Sequence, residues 1–387
     1  MGHLANDPPL SIAVLLHGGA GGSGVVATET GLRFAREGHD VHFVANRVPF
    51  RLMDRSEPNV WFHQVETLAY PLFDAPLTTL AEASKLAEVI ETHRIDVIHA
   101  HYAIPHATAA ILARGMVEGP KPRVVTTLHG TDVTLVGMDR AYLRATRHAI
   151  NESDVVTAVS HFLRQETIDE LGVKRRIEVV PNAVDITRFH PGRQPEIRAR
   201  YASDDEFLLL HVSNFRPLKR VCDVVRTLAN INTTHPTQLV MIGDGPEQPK
   251  AASLAAELGV RDRVHFLGAF PKVEDIMRTA DAFMLVSEHE AFGLAALEAM
   301  ASGVPVVASQ AGGLREVVED GETGFLRETR DVAGYANALR TLFDEPERRQ
   351  RMAVAARRRA ETVFSEDDVF ASYLRLYREP YPLAQGS

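Results

Sequence analysis

Short apolar runs alternate with helix-like stretches along the whole chain, and no other feature limits its fold so tightly. The first half offers strand candidates at Ser11–His17, Asp40–Asn46, Val60–Val65, Asp96–His101, Arg123–Leu128, Asp154–Val159 and Arg176–Val180. Runs such as IAVLL and VVTTL are apolar on both faces, as parallel strands covered by helices on each side require. Amphipathic segments such as Thr78–Thr92 and Arg140–Asn151 fill the intervals. The second half repeats the alternation at Phe207–Val212, Gln238–Ile242, Arg263–Leu267, Ala282–Val286, Val304–Ala308 and Gly324–Leu326. The pattern predicts an α/β protein of two Rossmann-like, doubly wound domains.

The stretch Val180–Pro191 has proline at its start and end and no period, which marks a connection. Residues 1–185 are then the N-terminal domain and 186–363 the C-terminal domain. Residues 364–387 form a last helix and tail, expected to pack back on the first domain. Two such sheets facing each other would leave a cleft at the carboxyl ends of their strands, where ligands bind.

Charge and cysteine content narrow the partners. The 387 residues carry 42 Lys+Arg against 51 Asp+Glu, a net charge of −9. That balance speaks against a non-specific nucleic-acid binder, which needs a concentrated basic surface. One cysteine, Cys222, excludes a disulfide framework and a cysteine-built zinc site. No apolar run approaches the ~20 residues of a membrane span, and the start lacks a charged segment followed by an apolar core. A cytoplasmic protein with neither membrane nor nucleic acid as partner is expected.

After the first strand comes Gly18-Gly-Ala-Gly-Gly-Ser-Gly24, ahead of a helical run Val25–Arg36. Gly19, Gly21 and Gly24 satisfy G-x-G-x-x-G between a strand and a helix, where glycines let a ligand approach the backbone and a helix N-terminus favours anions. A dinucleotide site also wants an acid at the end of the next strand. That strand ends Val44-Ala-Asn-Arg47, so the acid is missing, although Arg47 suits a 2′-phosphate. A polar ligand held close to the loop, a plain tight turn and an NADP site all stay open.

The densest signal is Ser287-Glu-His-Glu290-Ala-Phe-Gly293-Leu-Ala-Ala-Leu-Glu298, a strand end, a loop and a helix starting near Phe292 or Gly293. If both acids face the ligand, the helix terminus between them can hold a diphosphate. Glu298 can then accept hydrogen bonds from a ribose diol and Glu290 from sugar hydroxyls. Upstream, Ser213-Asn-Phe-Arg216-Pro-Leu-Lys219 puts two cations after another strand, enough to neutralise the roughly two charges of a diphosphate. The chain contains no Asp-x-Asp triplet, so paired cations in place of Mg²⁺ are the consistent reading. His99, His101 and His106 suggest a metal cluster at first glance, but no acid completes the set, and neither a metal nor another cofactor is expected.

Glu290 and Glu298 in E-x7-E spacing, Arg216, Lys219, Gly243-Asp-Gly-Pro-Glu247 and Gly312-Gly-Leu-Arg-Glu316 together resemble the retaining GT-B glycosyltransferases of family 4. The likeness covers nearly the whole chain. Gly21-Gly-Ser-Gly-Val25, Val48-Pro-Phe-Arg-Leu52, His99-Ala-His-Tyr102, Thr127-Leu-His129-Gly-Thr131-Asp132 and Val159-Ser160 narrow it to the branch that moves N-acetylglucosamine from UDP-GlcNAc to L-malate, the first step of bacillithiol synthesis.

The resemblance implies a GT-B fold with the donor on the C-terminal domain and the acceptor on the N-terminal domain. Glu298 would hold the uridine ribose, Glu290 the sugar, and Arg216 and Lys219 the diphosphate, helped by Phe292, Gly293 and Leu294. Asn214, Gly22 and Gly24 would also border the donor, and Arg263 either flanks the uracil or is an ordinary strand-edge arginine. Arg51 and Arg147 would meet the malate carboxylates, with Ser23, Tyr102 and Thr131 as hydrogen-bond partners. Glu290, Arg216, Lys219 and His129 make up the catalytic set, His129 positioning the sugar. Same-face attack with the leaving phosphate as base is the route such enzymes favour, and it needs no protein nucleophile. A homodimer is a further implication. Another small anionic acceptor or a lipid-linked one, an NADP-dependent oxidoreductase and a sugar-nucleotide-binding regulator remain the competing readings.

Overall fold

The computed structural model describes residues 8–19, 21–53, 57–68, 75–270 and 272–381. Tail residues 382–387 lie outside the described residues. Every apolar run named above becomes a strand, with no end moved by more than two residues. In the first half these are β1 (Ser11–Leu15), β2 (Asp40–Ala45), β3 (Val60–Gln64), β4 (Val97–His101), β5 (Arg123–Leu128), β6 (Val155–Ala158) and β7 (Glu178–Val179). In the second they are β8 (Phe207–Val212), β9 (Thr237–Ile242), β10 (Val264–Gly268), β11 (Ala282–Leu285), β12 (Val306–Ser309) and β13 (Gly324–Arg327).

The strands form two sheets, ordered β3-β2-β1-β4-β5-β6-β7 and β10-β9-β8-β11-β12-β13. All neighbours within each sheet pair parallel. In both, strand order reverses direction at the centre, between β1 and β4 and between β8 and β11. Loops leaving a sheet on either side of such a reversal diverge and open a crevice at the carboxyl edge. The apolar runs explain the central strands directly: Leu208, Leu209 and Leu210 are fully buried, as are Phe283 and Met284.

Contacts divide the chain into two units, one of residues 1–181 together with 367–387 and one of residues 182–366. The helix Glu366–Arg378 belongs almost wholly to the first unit. Its Phe370 and Tyr377 rings lie 4.7 and 4.8 Å from Phe34. Tyr377 Oη hydrogen-bonds with His99 Nδ1 at 2.6 Å, and Tyr373 Oη with Thr127 Oγ1 at 3.1 Å. At its start Arg33 pairs with Asp367 at 2.8 Å, and near its end Arg378 donates to the carbonyl of Pro8. Among the described residues no helix is long and apolar enough to cross a membrane.

Candidate active site

In the second unit the crevice between β8 and β11 is crossed by a mostly buried ion pair. Lys219 follows β8 at the end of a short turn, Pro217–Lys219, and Glu290 follows β11. Lys219 Nζ donates to Glu290 Oε2 at 2.6 Å, and Ser287 Oγ donates to the same oxygen at 3.1 Å. Both partners are mostly buried, with side chains 16 and 14% exposed. The backbone fixes the pair from both sides. Glu288 N–H donates to the carbonyl of Leu218, and Gly313 N–H to the carbonyl of Glu290, each at 2.8 Å.

Gly293 turns the loop into the helix Leu294–Ala301 with φ of +102°, a conformation costly for any residue with a Cβ. A Cβ there would also stand 2.6 Å from Leu314 Cδ2. The helix therefore begins at Leu294, four residues after Glu290, and its first amides lack intrahelical acceptors. Glu298, just over one turn in, is buried at 8% exposure rather than on the helix surface. Phe292 packs edge-on against Phe364 at 5.7 Å. Arg216 and Asn214 are exposed beside the turn, and among the described residues no side chain pairs with the Arg216 guanidinium.

His211 lies beneath this group. Its Nε2 hydrogen-bonds with Ser213 Oγ at 2.7 Å and its Nδ1 with the carbonyl of Met284 at 2.9 Å. Burial, aided by the charge on Lys219, pulls its pKa down to about 4. A neutral imidazole thus buttresses the loop that carries the two cations. Sequence reasoning missed His211 and Ser287, because a histidine inside an apolar strand and a serine at its end carry no spacing signal of their own.

Arg263 does not join this group. It immediately precedes β10 and pairs with Glu206, which immediately precedes β8. In a parallel sheet residues before the strands lie at the amino edge, a whole strand length from Lys219 and Glu290, so the strand-edge reading is the right one and the uracil role falls.

In the first unit the glycine run is part helix. The helix starts at Gly22, with Gly21 as its cap, three residues earlier than Val25. Gly22, Ser23 and Gly24 form its first turn. A Cβ on Gly24 would stand 2.6 Å from the His17 carbonyl oxygen, so only glycine lets the helix start so close to the end of β1. Ser23 Oγ then donates to Tyr102 Oη at 2.7 Å, linking the segments after β1 and β4 across the first sheet's reversal point. Tyr102, at φ of +94°, faces the His129 ring edge-on at 5.3 Å. Thr131 is exposed just beyond.

Asp132 holds these loops together. Its carboxylate accepts from the amides of Ala103 at 2.8 Å, His129 at 3.1 Å and Gly130 at 2.9 Å. Burial pushes its pKa up to about 6, against the downward pull of those amides. His129 Nε2 meets His101 Nδ1 at 2.9 Å, and the His101 ring lies 4.1 Å from that of His99. Burial takes His129 and His99 down to about 3, and His101 well below its ordinary value, so the row is neutral. His106 instead pairs with buried Glu82 at 3.3 Å. His99, His101 and His106 are thus placed by tyrosine, threonine, histidine and carboxylate partners of the fold.

The two acceptor arginines differ in their surroundings. Arg51 is 8% exposed, but the chain supplies its anion: Nε lies 3.8 Å from Glu29 Oε1. Its burial therefore does not by itself call for a bound carboxylate. Arg147 is exposed on the helix Leu143–Glu152, and its guanidinium reaches within 3.6 Å of where a Cβ on Gly172 would stand. Gly172 caps the far end of the helix His161–Leu171, about 16 Å from the helix start that follows β6. Arg147 thus lies beside the cap of that helix, and its acceptor role rests on the resemblance alone.

Comparison with known proteins adds to this geometry. The family described as Glycosyl transferases group 1 matches residues 193–359, and Glycosyltransferase Family 4 matches residues 20–188. The N-acetyl-alpha-D-glucosaminyl L-malate synthase of Bacillus anthracis is 40% identical over 95% of this chain and 96% of its own. A D-inositol 3-phosphate glycosyltransferase of Acidothermus cellulolyticus is 32% identical over 94 and 86%. Among solved structures, Anabaena HepE in complex with UDP and glucose superposes with a TM-score of 0.80 at 21% identity, covering 95% of this chain and 99% of that one. That likeness is one of fold.

Proposed function

This chain belongs to the family 4 glycosyltransferases and has their two-domain α/β GT-B fold, and on that premise we propose that it transfers N-acetylglucosamine from UDP-GlcNAc to the hydroxyl of L-malate with retention, releasing UDP. The Lys219–Glu290 pair beside a glycine-capped helix N-terminus carries the donor half of this reading. The malate half rests on a similarity that runs nearly end to end, through the acceptor unit as well as the donor unit.

Lys219 and Glu290 neutralise each other at 2.6 Å. A UDP-sugar would part them: its diphosphate competes for Lys219, joined by the unpaired Arg216 and the amides of Leu294 and Ala295, and its sugar hydroxyls take over the Glu290 carboxylate. Glu298 is assigned to the ribose. Charge developing on the leaving UDP then falls on groups already in place, which is where such groups lower a barrier most. On the acceptor side Ser23, Tyr102 and Thr131 supply hydroxyls. Neutral His129, oriented by His101 and by the Asp132-bound backbone, donates or accepts a hydrogen bond without adding charge.

Incubation with UDP-GlcNAc and a panel of small anions, including L-malate and inositol 3-phosphate, tests the proposal through UDP release and product mass. Malate-dependent release is expected. Release with the inositol phosphate alone would assign the chain to the other branch. Tyr102→Phe removes one hydroxyl from the acceptor group and should raise the malate KM about tenfold or more, leaving the UDP-GlcNAc KM nearly unchanged; the reverse order would move Tyr102 to the donor. Excess EDTA should leave the initial rate intact, and a loss restored by Mg²⁺ would overturn the paired-cation account.

A further inference from the structure

A second cluster of chemistry-bearing side chains lies away from all the groups above. His42 is on β2, His63 on the neighbouring β3, and His93 ends the helix Thr78–His93 that covers this face of the sheet. In the β2–β3 register His42 stands beside Trp61 and Val44 beside His63, which puts both histidines on one face. His93 marks the amino edge, where its carbonyl accepts from Ser11 Oγ at the start of β1. One ring nitrogen from each histidine lies within 4.8 Å of the others, and His42 Nδ1 is 3.0 Å from His63 Nε2. We propose that His42, His63 and His93 form a binding site for one divalent transition-metal ion of the zinc class, held by three imidazole nitrogens with a fourth position open to water.

The geometry suits such an ion. Metal–nitrogen bonds of about 2.0–2.1 Å in a tetrahedron put ligand nitrogens about 3.3–3.4 Å apart. The observed separations bracket that distance, so small ring rotations suffice to close the site. His42 is 2% exposed and its ring is fixed by a parallel stack on Trp61 at 4.6 Å and 11°. His63 and His93 are only partly buried, which leaves an entry path and room for a water. Without a metal, one N–H bridges His42 and His63 and the third ring has to find its partner elsewhere; a cation satisfies three lone pairs at once. Only neutral imidazole ligates. Burial pulls His42 down to about 4 and also lowers His63, which keeps both in that form at neutral pH. The nearby charges of Lys85 and Glu88 are paired with each other at 2.6 Å. An all-nitrogen donor set selects zinc, cobalt, nickel or copper over Mg²⁺ and Ca²⁺, so this site is separate from any metal requirement of the transfer reaction. Its effect would be mechanical, tying the outer strands of the first sheet to the end of a covering helix.

The test uses the untagged full chain, because a histidine tag would compete. After EDTA treatment and desalting, Co²⁺ titration should give the visible bands of a tetrahedral nitrogen site, saturating at one equivalent and bleached by Zn²⁺. Zn²⁺ should also raise Tm. His63→Ala and His93→Ala alter partly exposed positions and should keep the native circular dichroism. Each should weaken metal binding at least about 10–100-fold, taking the loss of an outer-shell partner as the lower bound, and abolish the Tm rise. UDP release by these variants should match the parent chain, which separates failure of this inference from failure of the transferase reading. Absence of the cobalt bands in the parent chain, or bands that survive both substitutions, would overturn it.

Discussion

Glu290→Gln should lower kcat by about 100-fold and leave the fold intact. The amide keeps the size of the side chain and can still accept from Ser287, but it removes the charge that Lys219 holds at 2.6 Å in the resting chain. If Glu290 grips the sugar most strongly as the bond to UDP breaks, the loss falls on kcat and on kcat/KM together, with little change in the KM for UDP-GlcNAc. Lys219→Ala should cost a similar factor through the other end of the same contact. The double variant should then lose much less than the product of the two, because each single change already breaks the unit. Steady-state kinetics with UDP release as the readout decides this, with circular dichroism as the folding control. A near-normal rate in either single variant would remove the site from these loops.

The second large effect is acid lability that begins in the first unit. His99 and His129 have pKa values of about 3 in the fold against an ordinary 6.5, so between those values only the unfolded chain takes up their protons. Their contribution is whole above pH 6.5 and shrinks as pH falls, by about 1.4 kcal/mol per pH unit for each group. Asp132 acts with the opposite sign: its folded pKa of about 6 lies above the ordinary 3.8, so acid favours its folded form. By pH 5 the two histidines cost about 4 kcal/mol and Asp132 returns about 1.4. His101, also held neutral by burial, adds to the loss. In the second unit His211 is the corresponding group, at about 2 kcal/mol over the same interval. Against domain stabilities of about 5–15 kcal/mol these are large sums. The single tryptophan, Trp61, sits in the first unit. Its fluorescence should therefore shift at a higher pH than the far-ultraviolet circular dichroism as the protein is acidified. Coincident transitions would contradict the assignment.

The strands were legible in the sequence because a strand buried on both faces must be apolar throughout, and such runs have few other uses. The glutamates at 290 and 298 were legible because a loop acid and a helix acid at that spacing flank one helix terminus. Arg263 misled because a lone arginine carries no mark of which edge of a sheet it occupies, and its place before β10 emerges only with the strand ends. For Arg51 the hidden part is its neighbour: Glu29, which balances its charge, is 22 positions away in sequence. The row Tyr377–His99–His101–His129 was hidden too, since it joins residues nearly 280 positions apart.

That long reach bears on how the protein is made. The strands of the first sheet leave the ribosome early, but the tyrosines that seal its histidine row arrive with the final helix. Through most of translation the nascent sheet would therefore stand with an uncovered seam, and a polypeptide cut after Pro181 should be a ward of chaperones where the full-length chain is self-sufficient.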